Sequence, residues 1–245
     1  MSSFIFNGTS SDDLGLIITA PIIRPTWGKE VSEVSRAGSA RKIIQESKTF
    51  GNADFMINTV IAEATPKNVR NIFSKLSGFG KLLISTAPQE YLDVFIKPLV
   101  PEAVALTMAE LPVNVTALPF AYAVDPTIVD ITEASPYVAV ENSGTVYSQP
   151  EIRFTKTDSS DTEINVNGKI FTVKNPTKGE PIEAGYEIII DCDVEVAYFV
   201  RNNGERVSIN SDTYGDFPLL HTGTNYITHS GNLKSASIKV NERWY

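Results

Sequence analysis

The sequence is poor in the groups on which most protein chemistry depends. It holds one cysteine, Cys192, and two histidines, His221 and His229, in 245 residues. A lone cysteine cannot close an internal disulfide, which excludes the stapled secreted scaffolds. Cys192 sits in the strand-like run 188–193 and reads as a small buried hydrophobe, not a reactive thiol. The histidines lie in a turn-rich segment and lack the i, i+4 helical frame of a zinc pair, so they read as polar loop or strand residues. Positive charge is also short: 21 Lys and Arg stand against 29 Asp and Glu, a formal net charge of −8. An overall phosphate-gripping footprint is therefore missing, and the basic cluster at 36–42 is brief. No run approaches the ~18–20 apolar residues of a membrane-spanning helix. The first residues carry no basic region followed by a long apolar stretch, so no signal peptide is expected. The expectation is a soluble chain made in a cytoplasm, with no membrane partner.

Catalytic and cofactor motifs are missing as well. There is no Walker loop, no Gly-rich dinucleotide turn and no Ser nucleophile elbow. Gly78-Phe79-Gly80 follows a helix and opens a strand, the reverse of a phosphate-binding order. Asp191 and Asp193 share a face of a strand, but two carboxylates fall well short of the ~6–8 oxygens calcium takes. Asp12 and Asp13 read as loop residues. Asn7-Gly8-Thr9 and Asn114-Val115-Thr116 fit a glycosylation pattern that has no meaning without secretion. The expectations are no catalytic residues, no metal, no cofactor and no assigned ligand-binding residue. Aromatic residues such as Trp27, Tyr147, Tyr198, Tyr214, Tyr226 and Trp244 are scattered; they suit sandwich cores and interfaces, or sugar stacking.

What is present is material for cores: 42% of residues are hydrophobic, enough for one large or two ordinary domains. Phe4-Ile5-Phe6 before Asn7-Gly8 predicts a strand running into a turn, and 14–19 predicts a second strand. Residues 28–49 show little periodicity and read as a long loop or projecting arm, a length that usually has a job. One helix is predicted over 66–78: Thr65 is a good N-cap, Pro66 suits the first position, and Gly78 suits the end. Its stripe is Val69, Ile72, Phe73 and Leu76, each contributing ~1.5–3 kcal/mol if fully buried. Strand-like runs follow at 81–86, 91–97, 103–109 and 113–124, with Pro112 and Pro119 as interruptions.

The texture changes near 141–150. Beyond it no helical period remains. Asn167-Gly168 predicts a hairpin with Ile164 opposite Phe171, and Asn203-Gly204 another with Val200 opposite Val207. At least six short strands argue for a β-sandwich of about 100 residues. The fold class expected is mainly β with one helix, α+β: a barrel-like sheet domain over 1–140 and a sandwich over 141–245. No internal repeat of fixed period is visible.

In order and spacing the chain resembles the distal tail proteins of siphophages that infect Gram-positive bacteria, together with related prophage proteins. The resemblance runs through 4–8 with Leu14-Gly15-Leu16, the 66–78 helix with 81–84, and 118–122, which resembles the close of a first domain. It continues through Asn142 to Thr145 with Ser148-Gln149-Pro150, which resembles the start of a second. Residues 164–168, 185–191, 215–218 and 223–225 then follow in family order. One departure is Ser35-Arg36-Ala37-Gly38, where the family often has a Gly-Arg-Asp-Gly-like turn.

The resemblance implies a virion protein and no catalysis. Six copies would form a ring around the DNA channel, between the tail tube protein and the tail-tip proteins. A galectin-like second domain would project outward to carry receptor-binding or baseplate proteins, or to touch host sugar. DNA would pass without specific binding, which suits a neutral or acidic lumen. A closed ring needs two different matching surfaces on each copy, and the 28–49 segment is the expected source of one. Two rivals stand beside this reading: a lone carbohydrate-binding module for surface glycans, and a cell-wall hydrolase, for which the carboxylate pair or triad is missing.

Overall fold

The computed structural model describes residues 2–35, 37–38, 40–98, 101–103, 107–132, 137–176, 181–230 and 233–245. Contacts group the chain into two compact units, Met1–Val124 with Tyr245, and Asp125–Trp244.

The first unit is mostly one curled, half-barrel antiparallel sheet. Its strands are β1 (Phe4–Phe6), β2 (Thr9–Ser10), β3 (Leu16–Ile18), β4 (Lys29–Ser35), β5 (Lys42–Phe50), β6 (Ala53–Ile61), β7 (Gly78–Ile84), β8 (Glu90–Pro98), β9 (Glu102–Ala103) and β10 (Ala109–Ala123). The sheet order is β2-β1-β7-β8-β10-β6-β3, with β9 beside β10. Alternation of side chains along β10 buries Leu111, Val113, Val115 and Ala117, which join Ile57 and Ile61 of β6 and Val94 and Ile96 of β8 in one core. The single α-helix, α1 (Pro66–Lys75), caps as expected: the Asn68 N–H donates to Thr65 Oγ1 at 3.2 Å. Ile72 and Leu76 are fully buried, with Val69 and Phe73 packed beside them. The helix stops at Lys75 because Leu76 leaves helical geometry, so Gly78, at φ +88°, opens β7 and does not cap.

The two prolines do not interrupt β10. Pro112 falls between the stretch paired with β9 and the stretch paired with β8. A missing N–H is tolerated where the ladder changes partner. Pro119 lies in a bulge where the register shifts between Ala117 and Ala121. Phe120 takes φ +78° there and sets its ring edge-on to Phe50 at 4.9 Å. Part of the expected 103–109 strand, residues 104–106, lies outside the described residues.

The expected arm is paired rather than a loop. β4 and β5 form a two-stranded sheet of their own. Arg36, at the family-like turn, lies outside the described residues.

The second unit is a sandwich. Its strands are β11 (Ile128–Ile131), β12 (Tyr137–Asn142), β13 (Glu151–Lys156), β14 (Thr162–Val166), β15 (Lys169–Val173), β16 (Glu187–Asp191), β17 (Val196–Val200), β18 (Arg206–Ser208), β19 (Thr213–Tyr214), β20 (Gly223–Ser230) and β21 (Leu233–Lys239). One sheet runs β11-β21-β13-β16-β17-β18 and the other β12-β20-β14-β15-β19. They share a core that includes Phe154, Ile188, Ile190 and Phe199 from the first and Ile164, Phe171 and Ile227 from the second. The texture change near Glu141 does not mark the division by contacts. β11 and β12 pair with β21 and β20, which places residues 125–132 and 137–140 with the second unit.

The Asn167-Gly168 hairpin has the expected register, Ile164 opposite Phe171, with both turn residues at positive φ. The second hairpin differs by one residue. Val200 faces Arg206 and Phe199 faces Val207, because the turn closes from the Arg201 N–H to the Glu205 carbonyl. Gly144 is required by proximity: a Cβ there would lie 2.4 Å from the Arg243 carbonyl oxygen and 2.8 Å from its nitrogen. Gly144→Ala is expected to lower stability by ~1–3 kcal/mol through displaced backbone, read as an earlier thermal unfolding transition. An unchanged transition would mean that the backbone at Arg243 moves freely.

Candidate assembly and binding surfaces

The arm is the most exposed element of the first unit. Register pairs Val31 with Glu46, Ser32 with Gln45, Glu33 with Ile44, Val34 with Ile43 and Ser35 with Lys42. Opposed residues share a face, so Val31, Glu33, Ile44 and Glu46 lie on one side and Val34 and Ile43 on the other. Every residue of β4 is exposed, and so are Ile43 and Ile44. Salt bridges Lys29–Glu46 at 3.0 Å and Lys42–Glu33 at 2.6 Å lace the ribbon. Exposed pairs of this kind contribute at most ~1 kcal/mol each. A two-stranded ribbon is marginal by itself in water, and this one shows aliphatic side chains on both faces.

Another apolar patch lies on a solvent-exposed face of the half-barrel sheet. Phe79 is 73% exposed and packs on Phe95 at 4.9 Å across β7 and β8. Exposed Met56 lies nearby, beside Asn114 and Lys97 in the next row.

In the second unit, Tyr137 of β12 stacks on Tyr226 of β20 at 5.4 Å on the solvent side of their sheet. Tyr137 escapes sequence reading because its partner lies far along the chain. Tyr214 is also exposed, with the Lys174 amine 4.3 Å over its ring, while Arg206 lies over Tyr198. Trp27 is buried in the first core.

The remaining sequence-singled residues are structural. Asp191 Oδ1 accepts from the N–H groups of Asp193 and Val194, holding the β16–β17 turn. Cys192 is buried; burial first, then Asp191, Asp193 and Glu195, pushes its thiol far up, so it stays protonated and unreactive. Asp12 and Asp13 are exposed turn residues. The two histidines are separated: His221 is exposed in the loop before β20, and His229 lies within β20, opposite Ile164. Among the described residues no group of three or more His, Cys, Asp or Glu could hold a metal ion. No helix among them is long and apolar enough to cross a membrane.

His229 has both ring nitrogens covered and without a hydrogen-bond partner among the described residues. Burial lowers its pKa below the usual imidazole value of 6.5. The unfolded chain then takes up its proton first as pH falls below 6.5, so stability drops from there down to the lower folded pKa. His229→Leu is expected to flatten the fall in melting temperature between pH 7 and pH 5. Parallel pH profiles would contradict this.

Sequence reasoning missed a groove in the second unit of about 580 Å³, beside the 215–221 loop. It is lined by Tyr147, Val166, Lys169, Cys192, Glu195, Asp216 and His221, among others. Its wall depends on Asn225, which is fully buried. Asn225 Nδ2 donates to the carbonyls of His221 and Gly223 at 2.8 and 2.9 Å. Its Oδ1 accepts from the His221 N–H and from Asn167 Nδ2, both at 2.8 Å.

No family model and no curated protein matches the sequence. Among solved structures, the chain aligns with the Dit protein of phage SPP1, described as a paradigm of the hub adsorption apparatus in phages that infect Gram-positive bacteria. The alignment covers 100% of both chains with a TM-score of 0.75, at 14% sequence identity. The chain has the Dit fold. The half-barrel with one helix, the arm and the sandwich are thus elements of a Dit-like chain from end to end. At so low an identity the likeness is one of backbone architecture. The resemblance read from short motifs in order agrees with this fold.

Proposed function

We propose that the protein is a structural hub of a phage tail tip, a distal tail protein that forms a ring and docks the adsorption machinery. The observation that carries this reading is the end-to-end match to SPP1 Dit, a hub adsorption protein. A match to one unit alone would have supported only a shared module. Further support comes from the arm, an exposed ribbon with aliphatic residues on both faces, which suits exchange between neighbouring copies. In this reading six copies close around the DNA channel, the first unit builds the ring and the sandwich projects outward. The tail tube protein meets one side of the ring, and tail-tip and receptor-binding proteins meet the other. The chain is made in the host cytoplasm, ends in the virion and catalyses nothing.

The net charge of −8 suits a lumen through which DNA slides, since lysine and arginine rings would hold phosphates. A continuous Arg and Lys lining in the assembled channel would contradict that part. Antibodies raised against the chain are expected to label the distal end of the tail in virions that carry it. Label on the head, or along the whole tail, would overturn the assignment. Release of sugar or peptide from purified cell wall by the isolated protein would overturn the non-catalytic part.

A further inference from the structure

The groove beside the 215–221 loop has the make-up of a ligand site. Its volume, about 580 Å³, falls within the ~300–1,000 Å³ usual for small-molecule pockets. Some of its polar side chains are committed to the fold. Gln149 donates to the Cys192 carbonyl and accepts from Arg243, and Asn167 is spent on Asn225 and the Tyr226 N–H. Four others have no hydrogen-bond or ion-pair partner among the described residues: Lys169, Glu195, Asp216 and His221. They rim a floor that includes Val166 and Cys192.

Tyr147 supplies a fixed ring. The Arg243 guanidinium lies 4.9 Å from the ring centroid and is almost fully buried. Its Nη2 and Nε both donate to the Tyr147 carbonyl, at 2.8 and 3.2 Å, and Nη1 donates to Gln149 Oε1 at 2.8 Å. Tyr147 nevertheless stays 38% exposed at the groove. A ring held in place before binding costs little entropy when a ligand arrives.

The charge pattern narrows the ligand. Two carboxylates stand against one amine at the rim, a balance that disfavours phosphates and other anions. A purely apolar ligand would strip water from those charges without replacing it. A ligand with vicinal hydroxyls meets both demands: carboxylates accept from it, the amine donates to it, and its C–H face lies on the tyrosine.

We propose that this groove binds a neutral saccharide unit, with Tyr147 as the stacking ring and Asp216 and Glu195 as hydroxyl acceptors. The site lies within one copy of the second unit, so it stands or falls independently of ring assembly.

Saturation-transfer NMR on the full-length protein, with glucose, galactose and N-acetylglucosamine as probes, tests it. Transfer from protein to the ring protons of at least one sugar is expected. Tyr147→Ala and Asp216→Asn should each weaken that binding about tenfold, a loss of ~1.4 kcal/mol. Tyr137→Ala, on the stacked pair of the sheet face, should leave it unchanged. Asp216 is an exposed rim residue, so its variant remains informative if Tyr147→Ala unfolds. No transfer from any of the three sugars would overturn the proposal. So would transfer that survives both groove variants, or transfer lost only in Tyr137→Ala.

Discussion

Replacement of residues 32–46 by a two-residue Asn-Gly turn is expected to leave both units folded and to reduce the ring to single copies. The remaining ends, Val31 and Ser47, can be bridged because Ser47 directly follows Glu46, the register partner of Val31, and such partners sit ~4.5–5.5 Å apart. Folding should survive because the arm contributes almost nothing to either core: the first core cluster contains no residue from 32–46. Assembly should fail because the deletion removes Val34, Ile43 and Ile44, exposed aliphatics for which the isolated chain has no use. Each contributes ~1.5–3 kcal/mol if fully buried against a neighbour, and the loss recurs at every contact around a closed ring. Circular dichroism should therefore report intact strands and an unchanged melting transition. Light scattering after gel filtration should report monomers. An arm-deleted protein that still assembles would place the ring contact elsewhere, with the Phe79–Phe95 patch as the next surface to alter.

Asn225→Leu is expected to destabilise the sandwich by ~3–5 kcal/mol, among the largest effects of any single change in this unit. The substitution keeps the branching at Cγ but adds bulk and removes every polar partner. It leaves the His221 N–H and the carbonyls of His221 and Gly223 without the side chain that now satisfies them. These bonds are part-buried, and each group so orphaned costs up to ~1–3 kcal/mol. Asn167 also loses the acceptor of its amide. Chemical denaturation, with the second unit followed through its own transition, should show a midpoint shift with an unchanged slope. A loss below ~1 kcal/mol would mean that water replaces the amide and that the 221–225 turn is held by other contacts.

The legible parts of this fold are those whose signals are local. Thr65, Pro66 and the Val69–Ile72–Phe73–Leu76 stripe specify a helix within a dozen residues, and the structure differs only at its end. Asn167-Gly168 fixes its hairpin because both residues tolerate positive φ, and register follows from a two-residue turn. Asn203-Gly204 misleads by one position because the loop that holds it is longer.

The arm was not readable as strands for a different reason. Val31 and Ile44 share a face with Glu33 and Glu46, so neither face shows a clean alternation. The place where the two units part is hidden by range. β11 and β12 find their partners about a hundred residues later, in β21 and β20, and no local texture announces that pairing. The groove is hidden by the same cause. Tyr147, Lys169, Glu195 and the Asp216–His221 loop are four separate stretches of chain, and only the sandwich brings them together. Tyr147 is visible in the sequence as an aromatic residue, but its fixed ring depends on Arg243 near the far end of the chain.

A tail-tip ring built from this chain would have a mass set by its copy number, and the intact native assembly can be weighed. Native mass spectrometry of the full-length protein should show a species of six copies. A protein that stays monomeric across the accessible concentration range would contradict the account.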